Sequence, residues 1–455
     1  MKILEVTHGF PPLQRGGTEN NTYLLSKTLA KNKNLKIYVF SGGLSSKYYQ
    51  DFKDETIDGI NIRRIHSVSL SFLKQDFPNV DIFTYKNTHI EKMFMDYLDN
   101  VKPDVVHFQH TIGLSASLIH ITLEKNLRPI VTIRDFWYLC PRIKLLTPTG
   151  DLCRGPEYGL NCFFCYSKGT LKTKKPTYSK LARQMFSIIK VPVSIKNYIK
   201  NRIMAMERYN IGDKYGNALP FFARYYYLKE TLQSAKYIIS PSLFLKSFYS
   251  EKMNIEPSRI NFIPHGIVPF KTKRRSKGSI KRPVYFGYAG SPNKYKGAYL
   301  LIDVFKQIPP ADAKLVIWGR GWEKISEQMK FSKNIIVKGE YSSQDLNKVF
   351  SSFDILIIPS TCYETFSFVA HEAFSARIPV IASNIGVFND IIQDGKNGLL
   401  FERNDANSLY NSINKIIENP GLIAKFSKNI RKPKSWDKYV DELYNIYKEA
   451  SRTMK

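Results

Sequence analysis

The chain has 455 residues, of which 43% are hydrophobic and 24% charged, a globular composition long enough for two or three domains of about 100 to 200 residues each. No stretch reaches the roughly 18 to 20 apolar residues of a membrane span. Residue 5 is already acidic, and no apolar core with a small-residue cleavage site follows, so the chain reads as cytoplasmic, opening on a strand and not a signal peptide. Lysine and arginine total 68 against 39 acids, a formal charge of +29 that points to a negatively charged acceptor, surface or partner. No recognition-helix pattern, ribonucleoprotein aromatic motif or zinc-finger spacing accompanies it, so nucleic acid ranks low among the candidates. A lysine-rich proteome tolerant of basic surfaces is the plain alternative.

Residues 2–6 form the predicted first strand, and a loop from His8 to Glu19 separates it from a helix over 20–31. Gly16 and Gly17 in that loop would let backbone approach a ligand closely, although two glycines also make an ordinary turn. Residues 35–40 form the second strand; 41–73 carry little pattern beyond alternation over 59–65. Strand 104–108 ends in His107-Phe-Gln-His110, ahead of a helix from Gly113. A histidine at such a strand end can act as a general base or hold a polar group, though a single one is more often a satisfied structural residue. Strand 129–133 runs directly into Arg134 and Asp135.

Four of the five cysteines then cluster as Cys140, Cys153, Cys162 and Cys165. In a cytoplasmic chain such a group fits structural zinc better than disulfides, because four thiolates satisfy a tetrahedral ion; unligated thiols and an iron-sulfur cluster are the alternatives. Residues 167–229 are an insertion rich in lysine and arginine with interleaved aromatics. Within it Ile195, Tyr198, Ile199, Ile203 and Met206 share one helical face and Lys196 and Lys200 another, as expected of a helix resting on an anionic membrane surface or packed on the first domain. Strands over 234–242 and 260–267 complete the first domain, residues 1–275, and a basic linker from Lys271 follows.

The second domain, 282–432, opens with a strand over 284–288 and a glycine-rich loop holding Ser291, Lys294 and Lys296 before a helix to residue 306. A strand over 315–318 precedes Arg320, which could face phosphate; a further strand, 334–338, and a helix, 343–350, follow. The most informative stretch is 354–401. There a buried strand over 355–358 leads through a polar loop to a helix from about Phe366, and a second strand begins at Pro379. Free amides at Phe366, Ser367 and Phe368 would hold a phosphate at the helix start. A carboxylate beside phosphate would be repelled, so Glu364 is better used to accept hydrogen bonds from sugar hydroxyls, and Glu372, two turns on, those of a ribose. The remaining predicted helices are 405–418 and a terminal one over 436–448.

Taken in order, Gly16-Gly17-Thr-Glu19, Ile263-Pro-His-Gly, Glu364 and Glu372 seven residues apart, the proline-led strand and the turn before Asn397-Gly-Leu-Leu resemble the retaining glycosyltransferases of family 4, glycosyl transferases group 1. The resemblance implies the α/β GT-B fold: two Rossmann-like doubly wound domains facing across a cleft, with a terminal helix, 436–455, crossing back to the first domain. It implies transfer of a hexose from a nucleotide-diphosphate sugar to a hydroxyl of a glycan or lipid-linked acceptor, with retention and without a catalytic metal. It assigns the catalytic positions to Glu364, His110 and Lys296 and the donor side to Gly16, Gly17, Ser291, Lys296, Arg320, Glu364, Thr365, Phe366, Ser367, Phe368 and Glu372, with His110 and Asp135 on the acceptor side. Two departures stand out: Arg134 where histidine is usual, and Ser291 where arginine is usual. They motivate the rival reading, a sugar-nucleotide or anionic-polymer binding protein without catalysis.

Overall fold

The computed structural model describes residues 1–31, 35–44, 51–67, 85–167, 218–272, 282–323, 325 and 330–452. The amphipathic helix expected within 167–229 and most of the basic linker lie outside the described residues. Two parallel sheets form the two halves of the chain. The first holds β1 (Lys2–Thr7), β2 (Lys36–Ser41), β3 (Phe52–Ile57), β4 (Ile60–Ile65), β5 (Val105–Phe108), β6 (Ile130–Thr132), β7 (Tyr237–Ser240) and β8 (Ile260–Phe262), in the order β3-β4-β2-β1-β5-β6-β7-β8. Only β3 is antiparallel to its neighbour. The second holds β9 (Val284–Ala289), β10 (Ala313–Trp318), β11 (Ile335–Val337), β12 (Ile355–Ile358), β13 (Val380–Ser383) and β14 (Gly398–Phe401), ordered β11-β10-β9-β12-β13-β14.

The strands are short apolar runs because both faces are covered by helices. β12, Ile-Leu-Ile-Ile, is buried along its whole length, as a central parallel strand must be. Chain order reverses between β1 and β5 in the first domain and between β9 and β12 in the second, with the antiparallel β3 added outside β4 at the edge of the first sheet. At such a switch point the loops leaving two neighbouring strands diverge to opposite faces and open a crevice, where doubly wound proteins bind ligands. The loop after β1 carries His8 and that after β5 carries His110; the loop after β9 carries Lys296 and that after β12 carries Glu364.

Several boundaries differ from the sequence expectation. The helix α1 (Gly17–Ala30) starts three residues early, so Gly17 lies inside it and Gly16 is its N-cap. α2 (Thr88–Val101) and α3 (Leu118–Glu124) flank β5; the latter begins five residues after Gly113. α4 (Leu160–Ser167) carries Cys162 and Cys165, and α5 (Leu219–Ser234) takes up the first residue assigned to the 234–242 strand. The 260–267 strand ends at Phe262; Ile267 instead bridges to Ser435. Behind β7 stands α6 (Leu243–Met253), capped by Ser242. The second domain adds α7 (Ala298–Phe305), α8 (Leu346–Phe350), α9 (Phe368–Ser375), α10 (Phe388–Ile391), α11 (Ala406–Glu418) and α12 (Gly421–Asn429).

The terminal helix α13 (Trp436–Ser451) crosses back to the first domain. Trp436 Nε1 donates to Thr28 Oγ1 at 3.0 Å, and Tyr439, Leu443 and Tyr447 are buried in the core with Ile3, Leu25 and Val39. No helix among the described residues is long and apolar enough to cross a membrane.

Candidate active site

The second-domain switch point assembles a charged pair from two loops. A 3-10 turn over Lys294–Lys296, capped by the Asn293 side chain, leads through Gly297 into α7. Gly297 has φ of 66°, and a Cβ there would stand 1.7 Å from the Pro359 carbonyl oxygen, so only glycine lets this loop close against the end of β12. That contact puts Lys296 Nζ 2.5 Å from Glu364 Oε1, which also accepts from Ser360 Oγ at 2.9 Å. Burial pushes the Glu364 carboxyl up, but the charge and hydrogen bond of Lys296, with Ser360 and the charge of Lys144, more than offset it and hold the pKa below its usual value. Burial likewise works against the Lys296 charge, and Glu364 outweighs it, leaving that pKa raised. The pair is therefore fully ionised, with the lysine side chain still 48% exposed towards the cleft.

After Glu364 the chain turns through Ser367, whose φ of 62° is a left-handed conformation that few non-glycine residues adopt. α9 begins only at Phe368, so the free amides are those of Phe368, Val369 and Ala370, two residues later than the sequence spacing predicted. The rings of Phe366 and Phe368 are used in packing: Phe366 stacks on His371 with centroids 4.0 Å apart, and Phe368 on His265 at 5.4 Å. The Ser367 hydroxyl is buried and has no protein partner. Across the cleft, a Cβ on Gly17 would lie 3.7 Å from the Phe368 ring. The N-termini of α1 and α9 thus approach each other at Gly17 and Phe368, just past Glu364 in the chain, and each presents a partial positive charge.

Glu372 is half-buried on α9, and burial alone raises its pKa to about 7. Arg320 stands exposed past the end of β10, the strand beside β9, and Ser291 is exposed in the loop after β9. The Thr365 hydroxyl donates to the Arg134 carbonyl at 2.8 Å and ties the two domains together, so it is not directed at the Lys296–Glu364 pair.

The first-domain switch point is built differently. His8 and His110 meet edge to face with centroids 4.7 Å apart. His110 Nδ1 accepts from the Ile112 amide at 3.0 Å, which places its proton on Nε2, and Nε2 donates to Asp135 Oδ2 at 2.9 Å. Both ring nitrogens are thus engaged, and His110 has no lone pair with which to act as a general base in this arrangement, a correction to the role allowed it by its position. Asp135 is itself held, accepting from the Trp137 amide at 2.8 Å; despite burial, His110 and that amide keep its pKa low. His8 pairs with Glu19 at 3.2 Å, leaving Nδ1 buried without a partner, and burial lowers its pKa.

Sequence reasoning missed the role of Arg134. It is buried, and its guanidinium donates to Asn21 Oδ1 at 2.9 Å, to Gln109 Oε1, and reaches His265 Nε2 at 3.1 Å. Gln109 in turn donates to Glu5, which Tyr447 of α13 also bonds, and His265 bonds Tyr439 of the same helix at 3.2 Å. Arg134 therefore joins α1, the first sheet, the terminal helix and the loop after β12. Its partners are far apart in sequence, and no local signal reveals them.

The thiols of Cys140, Cys153, Cys162 and Cys362 are free. Cys153 Sγ accepts from the Gly155 amide at 3.4 Å, and burial raises the thiols of Cys140, to about 12, and of Cys153 and Cys162. Among the described residues no group of three or more His, Cys, Asp or Glu is placed to hold a metal ion. The zinc expectation for Cys140, Cys153, Cys162 and Cys165 thus rests on their spacing alone. What the cysteine-rich hairpin does is cross the cleft: Leu146 and Leu152 pack against Tyr295 and Cys362 of the second domain.

The family model for glycosyl transferases group 1 matches residues 269–433, which contain the Lys296, Glu364 and Glu372 positions. The chain is 30% identical over 202 residues to the lipopolysaccharide 1,2-N-acetylglucosaminetransferase of Salmonella typhimurium, covering 40% of this chain and 52% of that one. It spans between 52 and 63% of the length of three curated relatives that it matches. Among solved structures, sucrose-phosphate synthase from Thermosynechococcus elongatus superposes with a TM-score of 0.60 at 16% identity over 99% of both chains. Anabaena HepE in complex with UDP gives 0.60 at 12% identity over 99% of this chain and 100% of that one. These likenesses show the GT-B arrangement of two Rossmann-like domains. Residues 269–433 match the glycosyl transferases group 1 family, and the two halves of the chain together adopt the GT-B fold.

Proposed function

We propose that the chain is a retaining glycosyltransferase that moves a hexose from a nucleotide-diphosphate sugar to a hydroxyl of a glycan or lipid-linked acceptor. The observation that carries this reading is the Lys296–Glu364 pair at the second switch point, with the α9 N-terminus following Glu364 in the same loop, because a lysine and a helix start suit a diphosphate. Glu364, ionised and fixed by Lys296 and Ser360, accepts hydrogen bonds from hydroxyls of the sugar, and Glu372 from the ribose.

As the bond between the anomeric carbon and the diphosphate oxygen breaks, the sugar becomes oxocarbenium-like and negative charge builds on the leaving phosphate. Lys296 and the amides of Phe368 to Ala370 stabilise that charge without a metal ion. The departing phosphate oxygen takes the proton of the acceptor hydroxyl on the face it has just left, so the new bond forms with retained configuration. This route needs no second carboxylate as nucleophile. It also leaves His110 and Asp135 as a fixed pair shaping the acceptor side. Support for a glycan or lipid-linked acceptor comes from the net charge of +29 and from the lipopolysaccharide transferase among the relatives.

Slow hydrolysis of the donor separates transfer from mere binding. The purified protein should release free sugar from one nucleotide-sugar, and Glu364→Ala should abolish release while its unfolding midpoint stays unchanged. Undiminished release by that variant would remove Glu364 from the mechanism, and no release from any donor would favour the non-catalytic binder.

A further inference from the structure

Glu364 lies between Ile358, the last residue of β12, and Phe368, the first of α9, in a stretch with neither helix nor strand to hold it. The residues on both sides of it are held from the first domain instead. Arg403 donates to the Thr361 carbonyl at 2.9 Å and to the Gly150 carbonyl at 3.2 Å, which ties the start of the loop to the cysteine-rich hairpin. Cys362 packs with Leu146 and Leu152 of that hairpin. The Tyr363 ring sits among Phe136, Phe244 and Phe248, at centroid distances of 5.9, 5.1 and 6.0 Å. Thr365 donates to the Arg134 carbonyl at 2.8 Å. Glu364 itself is turned the other way, to Lys296 and Ser360 of its own domain.

Tyr363 is the centre of this arrangement, because its ring packs against the buried cores of both domains. Its neighbours Phe244 and Phe248 stand one turn apart on α6. The start of α6 is itself fixed to the second domain, where the Phe244 amide donates to Asp390 Oδ2 at 2.6 Å. Gly386, with φ of 56°, leaves room for the contact. A Cβ there would stand 3.2 Å from the rings of Phe244 and Tyr363 and 3.4 Å from the Glu364 carbonyl oxygen.

We propose that Tyr363 and Arg403 are positioning residues that couple docking of the first domain to the placement of the Glu364 carboxylate. This deepens the reading of the cleft as a nucleotide-sugar site and rests on it. A backbone fixed on both sides of one residue sets the direction of that side chain, and a misplacement of about 1 Å at a reacting group can cost roughly a hundredfold in rate. Lys296 and the start of α9, which meet the diphosphate, are carried by the second domain alone. Diphosphate binding therefore does not need the contacts around Tyr363, whereas correct placement of Glu364 against the sugar does. Domains joined through a modest interface move relative to each other by default, so these contacts hold Glu364 in its working position only while the two halves are together.

The test pairs the maximal rate of donor hydrolysis by the full chain with calorimetric titration of UDP, GDP and ADP. Tyr363→Ala and Arg403→Met should each lower kcat roughly tenfold to a hundredfold, with no loss of affinity for the nucleoside diphosphate that the wild-type protein binds. Phe244→Ala, a change in the first domain, should do the same, and Tyr363→Phe, which keeps the ring, should retain kcat. Arg403→Met leaves the aromatic packing untouched and decides the matter if the ring variants fail to fold. Unchanged kcat in Arg403→Met, diphosphate affinity lost in step with kcat, or loss of kcat in Tyr363→Phe would overturn the assignment while wild-type hydrolysis still upholds the donor site. Absence of hydrolysis of any donor by the wild-type protein would remove the transferase reading itself, and this assignment with it.

Discussion

The two switch points of this molecule occupy the same topological place in two similar sheets, yet they are built for different tasks. In the second domain, Lys296 and Glu364 form a pair with charge left open to the cleft and helix amides beside it. In the first, His8 and His110 are buried and tied down by Glu19, Asp135 and the Ile112 amide. Topology supplies a crevice in both cases; what fills the hydrogen-bonding capacity of its side chains decides whether the crevice binds a ligand or holds the frame. The first switch point is a frame on which the second operates, and Arg134 is the joint between them.

The largest expected effect is at that joint. Arg134→Met leaves the oxygens of Asn21 and Gln109 buried without a donor, and should cost about 3 kcal/mol of stability in chemical denaturation. A loss of transfer with unchanged stability would instead place Arg134 on the ligand side.

A smaller effect sharpens the donor side. Glu372 has its pKa pushed up to about 7 by burial, so it gains a proton as pH falls through that value. Only the ionised carboxylate offers full acceptor strength to ribose hydroxyls, and bound ribose should draw the pKa back down. Donor affinity should therefore fall as pH is lowered from 8 to 6, by up to roughly tenfold, and Glu372→Gln should flatten the dependence. A profile unaltered by Glu372→Gln would remove the ribose assignment. The smallest expected effect is none: EDTA should leave donor hydrolysis unchanged, because Lys296 and the helix amides carry the leaving-group charge. Activity lost to EDTA and restored by a divalent cation would overturn that account.

How far the sequence could be read follows the same division. The β12 to β13 unit was legible because its physics is local: a short apolar β-branched strand, a polar loop, then helical spacing. The start of α9 was misplaced by two residues, since Phe366 looks helical in periodicity while its ring is committed to stacking on His371. Strand β3, Phe-Lys-Asp-Glu-Thr-Ile, was passed over because an edge strand paired only to β4 needs little apolar character. The Arg134 network was not legible at all: Asn21, Gln109 and His265 lie 113, 25 and 131 residues away, and only tertiary structure makes them neighbours. His110 was correctly placed at a strand end, but spacing says nothing about whether its nitrogens are already taken.

A donor site at the second switch point requires Lys296 and Glu372 to serve one nucleotide-sugar. Titrating the full chain with UDP-, GDP- and ADP-sugars in a calorimeter, beside Lys296→Ala and Glu372→Ala, addresses that directly. Binding of one donor class, weakened about tenfold or more in each variant at unchanged unfolding midpoint, is the predicted result. Binding that neither substitution alters, or no binding by the wild-type protein, would contradict the donor site at the second switch point.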